Sequence, residues 1–119
     1  MKQEVLKIID WPLSIKLAND RADIAEELFN MLIVELPIAR KDINEAFNKK
    51  DYDQLHHHVH KLHGACCYCG VPQLKDSTRQ LEIAATAQDS NAIKLAIDTF
   101  NSSTDAVLEE ANSTFLKNR

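Results

Sequence analysis

The side chains best able to do chemistry are crowded into one stretch of this chain. All five histidines, His56, His57, His58, His60 and His63, fall within eight positions, and all three cysteines, Cys66, Cys67 and Cys69, follow at once. Imidazole titrates near pH 6.5, so a large neutral fraction with a free nitrogen lone pair exists at pH 7. Such a nitrogen can carry a phosphoryl group covalently or bind a metal, and thiols can ligate metal or be oxidised. Which chemistry applies depends on the faces these residues occupy.

The segment that carries them has helical periodicity. Leu55, Val59, Leu62, Cys66 and Cys69 step by 4, 3, 4 and 3 and form an inward seam. At about 100° per residue, His60 falls about 140° from Leu55 and Gly64 about 180°, with His56, His63 and Cys67 between about 80° and 120°. His60 is therefore predicted on the solvent-facing half, and Gly64 follows one turn later on the same face. Glycine inside a helix costs about 0.5–1 kcal/mol relative to alanine. On an exposed face core packing cannot require it, so its use is clearance for a molecule approaching His60. Cys66 and Cys69 read as small core residues and Cys67 as the more exposed thiol. His57 and His58 are solvated or boundary residues without an assigned role. His56 and His63 are either neighbours of His60 or tune it electrostatically.

Other readings stay open at this level. His56, His60, His63 and Cys67 share a face, and histidines at i, i+4 can chelate zinc. Against a metal site, one helix does not easily close a tetrahedron, no His-Glu-x-x-His motif is present, and no second cluster exists elsewhere in the sequence. A redox sensor using the cysteines is a second alternative. A structural adaptor bundle in which His60 is dispensable is a third.

The elements that must position the cluster are helices. Only two glycines, Gly64 and Gly70, and three prolines, Pro12, Pro37 and Pro72, occur in 119 residues; phosphate cradles and tight-turned all-β folds need more. Residues 1–9 form a lead-in segment, and 10–119 a single domain. Asp10-Trp11-Pro12 opens a short helix to about Ala18, and Asn19 and Asp20 are candidate caps for the next. From Ala22 to about Lys49, Ile24, Leu28, Leu32, Ala39, Ile43 and Ala46 recur at helical spacing, and a kink or break is expected at Pro37. Asp51 caps the histidine helix, Gly70 is read as its stop, and Pro72 opens a helix with Leu74, Thr78, Leu81 and Ala85 on one face. After Asp89-Ser90-Asn91, a last helix carries Ile93, Ile97, Phe100, Thr104, Val107, Ala111 and Phe115 to about Lys117. The expected fold is all-α: an antiparallel, up-and-down four-helix bundle with a short additional N-terminal helix.

Composition narrows the function. The net charge is −4, from 14 basic and 18 acidic residues, with no basic stripe, so nucleic acid is not an expected partner. No run approaches the roughly 20 apolar residues of a membrane span, and residues 1–9 lack a signal-peptide core, so no direct membrane contact and a cytoplasmic setting are expected. Three cysteines in one short segment argue against a disulfide framework.

His60-Lys61-Leu62-His63-Gly64-Ala65 resembles the phosphoacceptor motif of histidine-containing phosphotransfer domains, His-x-x-Lys-Gly-Ser/Ala. With Cys66-Cys67-Tyr68-Cys69-Gly70-Val71-Pro72-Gln73-Leu74 it is similar, more narrowly, to the C-terminal phosphotransfer domains of BarA/GacS-type hybrid sensor kinases, from Asp10 to the C-terminus. The resemblance implies a monomeric carrier without kinase activity of its own. It takes a phosphoryl group from a receiver-domain aspartate of the hybrid kinase and hands it to the aspartate of a response regulator. His60 matches the phosphorylated histidine, through Nε2, and Gly64 the clearance glycine. His63 stands where the family usually has lysine, so electrostatic help from there is lost or becomes pH-dependent. Lys61 points to another side. Glu82 stands 22 residues after His60, where some relatives place a glutamine that hydrogen-bonds the histidine; a carboxylate there would fix the tautomer. No cofactor of its own is implied, and Mg²⁺ is expected from the receiver. Some of Phe29, Ile33 and Val34 would form a docking patch, or else bury Trp11, Leu13 and Leu17. The parent kinase is expected in the inner membrane, with Met1 a boundary within a longer chain.

Overall fold

Three aspartates and two prolines start four of the five helices. In the computed structural model, which describes residues 6–116, Asp10 accepts a hydrogen bond from Leu13 N–H at 3.1 Å, and Pro12 follows inside the first turn of α1 (Trp11–Leu17). Asp51 accepts from Gln54 N–H at 3.2 Å and opens α3 (Tyr52–Cys66). α2 spans Ala22–Asn48, α4 Pro72–Ala87 with Pro72 in its first turn, and α5 Ser90–Glu110, capped by Asp89. Three-, five- and two-residue connections join α2 to α5 in order, so neighbours pack antiparallel. α3 packs between α2 and α4, α5 packs on α4, and α2 meets α5 to close the bundle. α1 lies against α2. This is the all-α bundle with an extra front helix that the periodicity implies.

The core comes from one stripe of each long helix. Leu55, Val59, Leu62, Cys66 and then Cys69 are buried, as are Leu74, Thr78, Leu81 and Ala85 of α4 and Ile93, Ile97, Phe100, Thr104 and Val107 of α5. Between α2 and α5 the contact is partly polar. Asn44 and Asn101 exchange amide hydrogen bonds at 3.0 and 3.1 Å, and Arg40 pairs with Asp105.

Several local expectations are corrected. α2 runs unbroken through Pro37, which sits on its exposed side; the missing N–H removes one helical bond without ending the helix. The buried stripe of α2 is Ala25, Phe29, Leu32, Leu36, Ile43 and Ala46, whereas Ile24, Leu28 and Ala39 are only half-buried. The reason is that α2 packs against α1, α3 and α5 rather than one partner. Asn19 and Asp20 do not cap α2: they adopt left-handed backbone (φ 56° and 63°), and Arg21 takes the capping position without a side-chain bond. Lys50 and Gln88 are left-handed too, so a chain short of glycine turns on other residues at these helix ends. α5 gives way at Ala111 to a π-helical stretch through Leu116; the side chain of Phe115, and Lys117, lie outside the described residues.

Gly70 is not a left-handed stop: α3 ends at Cys66, and neither glycine has positive φ. A Cβ at Gly70 would lie 2.1 Å from the Asp10 carbonyl oxygen and 2.5 Å from Ser14 Oγ. The Gly70 N–H donates to Ser14 Oγ (2.8 Å), and its carbonyl accepts from Asp10 N–H (2.7 Å). Nearby, Gln73 N–H donates to the Lys7 carbonyl at 3.1 Å, satisfying an orphan donor of α4's first turn, and Ile8 and Ile9 pack on the core. The backbone before α1 is thus tied to the α3–α4 connection. Gly70→Ala is expected to lower unfolding stability by about 1–3 kcal/mol, the usual range for overpacking, read as a fall in the urea midpoint.

Candidate functional site

Burial of the α3 seam turns His60 outward, with its side chain 71% exposed. Gly64, one turn on, has nothing within 4 Å of where a Cβ would stand apart from its chain neighbours and the backbone of its own helix. The surface beside the imidazole is therefore open, as clearance requires. From the α4 side, Glu82 follows the buried Leu81 and reaches the α3–α4 boundary, where its side chain is 22% exposed. Its Oε2 lies 2.7 Å from His60 Nδ1. A carboxylate can only accept, so the His60 proton sits on Nδ1 and the lone pair is left on Nε2. An exposed imidazole held in that tautomer is a nucleophile with its reactive nitrogen pointing away from its support.

Two more imidazoles converge on the same carboxylate. His56 Nε2 is 3.7 Å from Glu82 Oε2, and its ring lies nearly parallel to that of His60, 6.0 Å away. His63 Nδ1 is 3.9 Å from Glu82 Oε1, and its Nε2 is buried without a hydrogen-bond partner. His57 and His58 pack edge to face with each other. Lys61 is on the opposite flank of α3, in a groove of about 370 Å³ with Met31, Glu35, Ile38 and Ala65. Met31 and Ile38 are exposed there, at 59% and 55%, and Val34, which does not line the groove, is 67% exposed on the same helix. Of the three residues suggested by the sequence for a patch, only Val34 is exposed; Phe29 is buried edge-on against Trp11 at 6.1 Å, and Ile33 is half-buried. Sequence reasoning missed Met31 and Ile38, which helical spacing from Val34 and Glu35 could have supplied.

No group of three or more His, Cys, Asp or Glu among the described residues is arranged to hold a metal ion. No described helix is long and apolar enough to cross a membrane.

Fold and site together define a helical bundle that presents one open imidazole, hydrogen-bonded from behind to a carboxylate of the next helix. The chain belongs to the Hpt domain family, which matches residues 27–112, and Hpt domains are phosphorelay signalling modules. It is 32% identical over 108 residues to the sensor histidine kinase GacS of Pseudomonas protegens, covering 91% of this chain and 12% of that protein. It is 34% identical over 74 residues to the histidine-protein kinase BarA of Escherichia coli K12, covering 62% of this chain and 8% of that one. The chain thus spans about a tenth of the length of these curated relatives. A crystal structure of the HPT domain from a hybrid histidine kinase of Shewanella superposes with a TM-score of 0.72 at 28% identity, covering 91% of this chain and 97% of that one.

The three cysteines are free: Cys66 and Cys69 are buried and Cys67 is half-buried. Burial, with the neighbouring thiols adding to it, pushes Cys66 far above the ordinary range, and burial pushes Cys69 up to about 11. Cys69 Sγ also points at the Leu28 carbonyl, 3.7 Å away. Because the folded state keeps protons that the unfolded state releases near pH 8.5, these thiols favour folding below that pH and lose their effect above it. Iodoacetamide at pH 8 is expected to label Cys67 alone in the native protein. The urea midpoint is expected to fall as pH rises from about 9 towards 11.

Proposed function

We propose that His60 accepts a phosphoryl group from the aspartyl phosphate of a receiver domain in a hybrid sensor kinase and passes it to the aspartate of a response regulator. The observation that carries this reading is the 2.7 Å contact between His60 Nδ1 and Glu82 behind a 71% exposed ring. In the forward step the Nε2 lone pair attacks phosphorus in line. The N–P bond forms as the P–O bond to the aspartate breaks, and the carboxylate leaves. Nδ1 keeps its proton, and the positive charge that develops on the ring faces Glu82. The second transfer reverses these bonds onto a new carboxylate. The domain works as a monomeric carrier in the cytoplasmic part of a membrane-anchored kinase. Charge neutralisation of the phosphoryl oxygens would come from Mg²⁺ held by the receiver. The exposed Met31 and Ile38 beside Lys61 and Ala65 offer an apolar footing for that receiver.

The direct test mixes the chain with a ³²P-labelled receiver. Acid-labile, alkali-stable label is expected on the wild type and none on His60→Gln; label persisting on the variant would overturn the assignment. Gly64→Ala separates folding from encounter. With open space at that position, the variant is expected to gain about 0.5–1 kcal/mol of stability yet take up label more slowly, because its methyl group stands where the partner must approach. Equal uptake rates would remove the clearance role.

A further inference from the structure

His63 occupies the place where a cation would be expected, and its surroundings give it another task. We propose that His63 is a positioning residue for Glu82, and that it does not serve the phosphoryl group as a substitute cation. The inference rests on the reading of His60 as phosphoacceptor. Its basis is where the two ring nitrogens of His63 point. Nδ1 faces Glu82 Oε1 at 3.9 Å, and Nε2 is buried without a partner. The side chain is 23% exposed, against 71% for His60. Neither nitrogen is therefore turned to the solvent side of His60, where a phosphoryl group on Nε2 would extend.

The tautomer follows from the same contacts. A proton on Nε2 would be a buried N–H without an acceptor and would leave a lone pair facing a carboxylate. A proton on Nδ1 points at Glu82 Oε1. The separation is longer than a hydrogen bond but within range of charge–dipole attraction. The carboxylate then has a donor on each side: Oε1 faces His63, and Oε2 faces His60 at 2.7 Å, with His56 Nε2 at 3.7 Å. Glutamate is long and flexible, and one contact leaves its terminal torsion free. The His63 dipole near the second oxygen orients the carboxylate so that its other oxygen stays on His60 Nδ1. In this arrangement His63 acts through Glu82 on the tautomer of His60.

The test has one readout that needs no phosphotransfer. In the full chain, long-range ¹H–¹⁵N correlation spectra report the tautomer of His60, and rates of label uptake from a phosphorylated receiver report its use. His63→Ala is expected to stay folded by circular dichroism, to mix the two tautomers of His60, and to slow uptake about tenfold, a usual effect of removing an outer-shell partner. His63→Asn, whose amide nitrogen can take the place of Nδ1, is expected to restore a single tautomer and bring uptake within about twofold of wild type. His63→Gln, which projects its amide where Nε2 lies, is expected to behave like His63→Ala. A His60 tautomer unchanged in His63→Ala would overturn the proposal. So would His63→Lys restoring uptake while His63→Asn does not, because that pattern demands a charge. Label persisting on His60→Gln would instead refute the acceptor reading, and the tautomer measurement would keep its own meaning.

Discussion

Burial of a single stripe on α3 governs the rest of the molecule. Leu55, Val59 and Leu62 are at most 4% exposed, and removing three aliphatic side chains of this size from water stabilises the fold by roughly 5–9 kcal/mol. That is comparable with the whole stability of a small domain. A helix held this firmly between two neighbours cannot rotate about its axis. His60 and Gly64 must then face out together, while His56 and His63 must sit on the α4 flank and Lys61 on the α2 flank. One helix thus serves as the centre of the core and as the platform of the site.

The same constraint on α4 brings the carboxylate in. Leu81 and Ala85 are buried, which leaves Glu82 at the edge of the α3–α4 interface. Two seams that face each other therefore place an acid behind an imidazole without any loop in between. Sites built on packed helices keep their geometry better than sites on loops. In the proposed relay, the parts of this surface left open, around Gly64 and over Met31 and Ile38, are those that meet another protein.

Legibility in the sequence followed the range of the interaction. The α3 seam, its N-cap and the outward aim of His60 follow from a period of 3.6 and from Asp51, all within one helix. The stripe of α2 was misread because that helix serves α1, α3 and α5; Phe29 and Leu36 are buried by partners that no local period reveals. The sequence neighbours of Gly70 suggest a helix stop. The atoms that actually require a glycine there belong to Asp10 and Ser14, some sixty residues earlier. The partner of His60 on α4 was visible through resemblance to a family, since 22 residues of separation carry no periodic signal. That His63 faces the α4 side could be computed from its helical angle. Which of its nitrogens meets a carboxylate, and which is buried, needed the packed structure.

The openness of His60 has a consequence for time. In the proposed relay the phosphoryl group rides on a ring that is 71% exposed, where water reaches it as well as a partner does. Gly64 beside it carries no side chain, and His56 and His63 lie close to Glu82. A carrier of this design sets no interval of its own. On that reading, hydrolysis by solvent runs against transfer, and how much of the message survives depends on how soon the next receiver arrives.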